Sequence, residues 1–309
     1  MRITNRMLVD NVLRNLNRNL AQLQKTQYQQ SSGKKVSRPS DDPIRVTQAL
    51  YMRSALSEQQ QHIKNMKDAK SWLDATDTAL MNAGEIIHRA YELAVGGAND
   101  TLPEDARRAI ADEIDQLIDH LVQVANTSHT GRYIFAGSRT ADIPFEYDDP
   151  SNPTTVNYNG NSNNLDWEVS PGVTMTVNLT GENVFNFVDK NGDLVNVFDI
   201  LFDLRDALYH DPGISEPSQV IQTSITKLQE ALDHNLSQRS IVGAKSRRME
   251  LAIARAEEAE INSTEILSNL EDIDIAEVNM MLSMHSYVYQ AALMTGVKVL
   301  QPSLLDFLK

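Results

Sequence analysis

Three stretches of this 309-residue chain pair residue types with spacings that could support chemistry. Glu85-Ile86-Ile87-His88 is a Glu-x-x-His at helical spacing, the half-site that di-iron bundles use twice, with two further carboxylates. No second Glu-x-x-His accompanies it, so the pair reads as a surface Glu/His contact. Asp189-Lys190-Asn191-Gly192-Asp193 imitates the start of a calcium loop. Its glycine stands fourth rather than sixth, however, and Ile200 occupies the twelfth position, where a bidentate glutamate is required. A hairpin with Asn191-Gly192 as a two-residue turn is the expectation instead. Ala136-Gly137-Ser138 lacks the second glycine of a nucleophile elbow. There is no Walker loop, His-Glu-x-x-His or dinucleotide fingerprint, and no cysteine for a disulfide or thiolate site. The residues therefore predict no catalytic site, no cofactor and no metal.

With chemistry set aside, charge and patterning carry the information. The net charge of −14 speaks against a duplex nucleic-acid partner. It is unevenly placed: residues 1 to 70 hold 13 Lys/Arg and 5 Asp/Glu, or +8, leaving −22 for the remainder. Tyr28 is the only aromatic in the first fifty positions, so the stacking platforms of single-strand binders are missing there. No apolar run approaches the roughly 18 residues of a membrane span. The polar helix after Met1 offers no cleavable secretory leader, so the expectation is no membrane insertion and an export route that reads something else.

Val9, Leu13, Leu16, Leu20 and Leu23 step by four and three, which makes a heptad seam. The pattern breaks at "SSGKKVSRPSDDP" and resumes at Met52, Leu56, Gln59, Ile63, Met66, Lys70, Leu73, Asp77 and Leu80. Proline is absent between Pro43 and Pro103, which predicts a helix from Pro43 to about Val95, and a second one from Pro103 to about Ser128. Residues 142 to 195 alternate with period two between Gly, Asn and Pro turns and predict a small β domain. Helix returns at about Asn196 to Tyr209 and from Ser218 onward. Met280, Met284, Tyr287, Ala291 and Met294 carry another four-and-three stripe toward a Leu304-Leu305-Asp306-Phe307-Leu308 finish. So much bare apolar surface predicts a partner interface. Residues 1 to 38 hold eight bases and one acid, while Glu257 to Glu277 holds eight acids and no base, which favours the two ends lying together. The fold expected is mainly α with an inserted β domain, an elongated rod of long antiparallel heptad helices formed by both chain ends.

Several stretches resemble the bacterial flagellin superfamily. "SSGKKVSRPSDDP" is similar to the segment after its first helix, "VGAKSRRME" to its penultimate helix, and "EDIDIAEVNMM" with "QPSLLDFL" to its carboxyl-terminal region. "GRYIFAGSRTADIPF", with "TLPEDARRAIADEIDQL" before it, resembles the hook-associated branch of that superfamily. The resemblance implies terminal coiled-coil helices at 1–42 and 276–309 that fold on assembly. It also implies a helical rod domain of 43–141 and 196–275, and an outer β domain of 142–195. The expected assembly interface is Val9, Leu13, Leu16, Leu20, Leu23, Met280, Met284, Tyr287, Ala291, Met294, Leu304, Leu305, Phe307 and Leu308. Lys34, Lys35, Arg38, Pro39, Asp41, Asp42 and Pro43 would form a hinge with inter-subunit charges, in which Asp42 caps the following helix and Pro43 takes its first position. Implied partners are copies of the chain, another hook-associated protein on the hook side, flagellin on the filament side and an export chaperone at the last helix. The implied role is a secreted adaptor of the flagellum; the alternatives are a flagellin subunit, or a surface adhesin or sugar-binding module acting through Tyr158 and Trp167.

Overall fold

The computed structural model describes residues 5–36, 38–99, 102–149, 153–209 and 216–300. Helix α1 spans Asn5–Ser32, α2 Pro43–Gly97, α3 Glu104–Ala125, α4 Gly181–Phe185, α5 Val197–Tyr209, α6 Pro217–Glu271 and α7 Ile275–Leu300. Between them run strands β1 (Ser128–His129), β2 (Arg132–Tyr133), β3 (Phe145–Tyr147), β4 (Val156–Tyr158), β5 (Asp166–Ser170), β6 (Val173–Thr176), β7 (Asn186–Val188) and β8 (Leu194–Asn196). They pair as four separate antiparallel hairpins. The chain divides into two compact units, Gln59–Glu257 and the pair Met1–Glu58 with Glu258–Lys309. None of the helices, among the described residues, is long and apolar enough to cross a membrane.

In the Gln59–Glu257 unit, the seam expected on α2 faces inward: Ile63, Met66, Leu73 and Leu80 are buried. On α6 the inward row is Ile221, Ser224, Leu228, Ala231, Asn235, Val242, Met249 and Ile253, again at steps that sum to heptads. Polar residues that interrupt the α2 seam are used to tie it to α6. Gln59 Nε2 donates to the Ala256 carbonyl at 2.6 Å, and Asp77 accepts from Arg239 Nε at 3.1 Å. These contacts run in opposite directions along the two chains, so the helices are antiparallel and their register is pinned by hydrogen bonds as well as by stripes.

Helix α3 ends at Ala125, three residues before the expected boundary, because Ser128 pairs with Tyr133 across a tight turn instead of continuing the helix. Thr130 and Gly131 both adopt positive φ, the backbone of a type I′ hairpin. The β7–β8 connection also differs from expectation. Val188 pairs with Leu194, Gly192 N–H donates to Asp189 O, and Gly192 stands at φ 94°. Lys190-Asn191 therefore forms the centre of the turn and Gly192 the left-handed residue after it. Asp189 holds this loop by accepting from the Asn191 and Asp193 amides at 2.8 and 2.9 Å, which is hairpin chemistry and not cation binding.

The β segment does not float free of the helices within this unit. Phe145 stacks among Phe185 and Phe198 at centroid distances of 5.1 and 5.5 Å, and Phe135 joins at 5.8 Å from Phe185. The Phe-Ala-Gly-Ser block builds this core. The Phe135 carbonyl accepts from Gly181 N–H and Tyr158 OH, while Ser138 N–H donates to Asn161 Oδ1 at 2.8 Å. Gly137 sits at φ 70°, and a Cβ there would come within 2.0 Å of the Asn161 carbonyl. Tyr158 packs on Phe145 and is bonded through its hydroxyl, which ties β4 to this core.

Two substitutions separate packing from backbone strain. Phe185→Ala should lower the urea unfolding free energy by about 3–5 kcal/mol. Gly137→Ala should lower it by about 1–3 kcal/mol through strain, although it adds apolar surface. Equal stability of wild type and Gly137→Ala would contradict the close approach to Asn161.

Candidate assembly interface

Helix α1 begins as a polar helix with one apolar side, and α7 is apolar almost all round, carrying only Lys298 and Glu277 as charges. They pack on each other antiparallel. Gln30 Nε2 donates to Asn279 Oδ1 at 2.6 Å near one end. Toward the other end, a Cβ on Gly296 would lie 3.1 Å from Val12 Cγ1, so the glycine lets the backbones close up. On α1 the side turned inward holds Val9, Val12, Leu16, Leu20 and Leu23 half-buried and Thr26 buried. Leu13 belongs to the expected seam but is 48% exposed. Val12 occupies the inward position instead.

On α7 two heptad rows coexist. Val278, Leu282, His285, Tyr289, Ala292 and Gly296 are buried or half-buried against the pair. The other row, Met280, Met284, Tyr287, Ala291 and Met294, points outward, with Met280 70%, Met284 56%, Tyr287 78% and Met294 71% exposed. Met281, Val288, Leu293 and Val297 widen that outward face. An unbranched, polarisable methionine surface of this kind adapts to a neighbour's shape. Leu304, Leu305, Phe307 and Leu308 lie outside the described residues.

The segment between α1 and α2 closes this unit. Gly33, at φ 68°, ends α1 with its N–H on the Gln29 carbonyl, the left-handed stop that glycine allows. The chain then runs beside the α6–α7 break: Lys35 N–H donates to Glu271 O at 2.6 Å and Ile273 N–H to Gly33 O at 3.2 Å. Asp42 Oδ1 accepts from the Ile44 and Arg45 amides, the N-cap expected of it, with Pro43 in the first turn. Asp274 does the same for α7 by accepting from Ala276 and Glu277. Arg38 stands 5.4 Å over the Tyr28 ring, its N–H bonds Asp41, and Lys25 lies 3.8 Å from that same carboxylate. Pro39 sits in the turn.

Glu271 is the charge at the centre of this joint. It is buried, and it accepts from Arg53 at 2.6 Å and Lys34 at 3.1 Å. Burial alone would raise its pKa; the Arg53 and Lys34 contacts outweigh that and hold the carboxyl below its ordinary range. Lys34, expected to reach another subunit, thus has its partner inside the chain. Nothing in the sequence marks out Arg53 or Glu271 individually; the signal available is the acidic run Glu257–Glu277 set against a basic amino-terminal segment. Elsewhere, His88 lies 3.6 Å from Glu92, not Glu85, on an exposed face of α2. Among the described residues no cluster of three or more metal-ligating side chains occurs.

A depressed carboxylate pKa contributes stability that is complete above the unfolded value of about 4.3 and disappears as pH falls through the lower folded value. Amide protection factors at Lys35 and Ile273 should therefore be flat from about pH 7 to about pH 5 and fall below about pH 4. Glu271→Gln should lower them at neutral pH and remove most of that acid dependence. An unchanged acid limb in the variant would assign the pH sensitivity to other carboxylates.

A family model described as the bacterial flagellin N-terminal helical region matches residues 3–140. Flagellar hook-associated protein 3 of Salmonella typhimurium is 27% identical, over 94% of this chain and 93% of that protein. The protein of the same name from Escherichia coli is 26% identical, over 89% of each. A structure described as a putative flagellar hook-associated protein from Vibrio parahaemolyticus superposes with a TM-score of 0.66 at 20% identity, covering 75% of this chain and all of that one. Over most of its length the chain is similar in sequence to hook-associated protein 3, its residues 3–140 match the flagellin amino-terminal region, and its fold resembles that of the Vibrio protein.

Proposed function

We propose that the chain is a structural subunit of the bacterial flagellum, an adaptor that joins the hook, through another hook-associated protein, to the flagellin filament. The observation that carries this reading is the outward row of α7. Met280, Met284, Tyr287 and Met294 expose most of their surface although the helix already has a partner in α1. Burying a side chain of that size stabilises by roughly 1.5–3 kcal/mol, so covering four of them drives association without any catalytic group. The likeness to hook-associated protein 3 over nine-tenths of the chain supports the position at the junction.

In this reading residues 1–42 and 276–309 order fully when neighbouring copies or sibling proteins cover them. Residues 43–141 and 196–275 form the rod, and 142–195 face outward. The subunit leaves the cell by the flagellar type III route, with a chaperone shielding the last helix until assembly, and works outside the cell. Cells lacking the chain should build hooks without filaments and release flagellin unpolymerised. If those cells instead lack only the filament's own subunit, the flagellin reading replaces the adaptor one. Replacing Met284 and Tyr287 together with Asp should abolish incorporation and motility while leaving the thermal unfolding midpoint of the monomer within about 2 °C, since both positions are exposed. A matching loss of monomer stability would mean that the row is covered internally.

A further inference from the structure

Both tryptophans of the chain line one small recess. Its volume is about 350 Å³ and its walls are Asp68, Ser71 and Trp72 of α2, His129, Thr130 and Arg132 of the β1–β2 hairpin, and Trp167 of β5. All of these belong to the same compact unit. The flagellar reading uses none of them.

The walls are already organised. Ser71 Oγ and His129 Nε2 are hydrogen-bonded at 3.1 Å, and the His129 ring meets Trp72 edge to face at 6.0 Å. Trp72 is 2% exposed, yet its indole Nε1 is buried without a hydrogen-bond partner. That N–H is itself buried, so Trp72 offers the recess its ring and not a donor. Trp167 is half-buried, presenting an apolar ring at the rim. Asp68 and Arg132 are exposed and supply one charge of each sign. Thr130, held at φ 50° in the turn that carries the hairpin across, is the only non-glycine residue with positive φ among the described residues.

Charge decides the class of ligand. A cation entering the recess would meet Arg132 and an anion would meet Asp68, so neither gains cleanly. A neutral molecule with adjacent hydroxyls satisfies both, donating to the carboxylate and accepting from the guanidinium fork. The aromatic wall asks in addition for a face of C–H groups, whose partial positive charge suits the negative face of an indole. The volume is at the lower end of small-molecule pockets, about 300–1,000 Å³, which fits one or two rings rather than a polymer segment. We infer that this recess binds a neutral pyranose sugar unit, stacked on Trp167 and fixed by Asp68 and Arg132, with Ser71, His129 and Thr130 available to further hydroxyls.

The test follows from the placement of the only two indoles. The full-length chain is titrated with the methyl glycosides of glucose, galactose and mannose while tryptophan emission is recorded. At least one should give a saturable change with a millimolar dissociation constant. Asp68→Asn and Arg132→Ala, both at exposed positions, should each weaken it by about tenfold or more. Trp167→Ala should abolish it, with circular dichroism and saturation-transfer NMR on the sugar protons separating lost binding from lost fold or lost reporter. Sorbitol, which lacks the ring, should give no saturable change. Absence of saturation with all three glycosides overturns the assignment. An equal or stronger response to acetate or tetramethylammonium overturns it as well, by showing that a charged ligand fits better. Cells carrying Asp68→Asn should remain motile, so failure here and failure of the flagellar reading are distinguishable.

Discussion

A helix with a single packing partner can bury one stripe of its surface, and no more. That limit governs the terminal unit of this protein. Helix α7 carries two heptad rows and has α1 on one of them, which leaves Met280, Met284, Tyr287 and Met294 facing outward. The 55-residue helices α2 and α6 show the contrasting case. Their stripes meet each other and the aromatic cluster around Phe185, so little of their inward surface is left uncovered. One part of the chain is complete by itself, and another is built with surface to spare.

The joint between α1 and α2 follows the same logic in electrostatic terms. A buried carboxylate without partners would be strongly disfavoured, but Glu271 has two cations and lies where three chain segments meet. The backbone of Lys35 bonds Glu271 and that of Gly33 accepts from Ile273, so charge pairing and main-chain pairing reinforce each other. Caps by Asp42 and Asp274 then start fresh helices on either side. The charge asymmetry between the first 38 residues and Glu257–Glu277 is resolved locally, through a few short contacts, and not only as a diffuse field.

Most of this was legible in the sequence because heptad spacing and proline placement are strong local signals. The extent of α2, the N-cap Asp42 and the inward row of α2 all follow from them. What remained ambiguous has a physical reason. On α7 the rows beginning at Val278 and at Met280 have the same four-and-three spacing, and only the partner's position says which one turns inward. The exchange of Leu13 for Val12 is the same ambiguity on α1. Loop geometry is ambiguous where side-chain chemistry suits two outcomes: Asn191-Gly192 suits a two-residue turn, but the capping carboxylate of Asp189 shifts the turn back by one residue. The recess lined by Trp72, His129 and Trp167 could not be read at all, since it gathers residues nearly a hundred positions apart.

The seam between α1 and α7 has one further consequence. It is closed by mixed contacts, with Thr26, Gln30 and Asn279 among the leucines and a glycine at the close approach, and no cysteine staples it. Bonds of this sort give way singly as a zipper does, heptad by heptad from an open tip, because each turn touches only its immediate counterparts. Traction along the chain would thus meet a series of low, even steps in place of one high wall, and the two strands of the zipper could be separated and rejoined without losing their register.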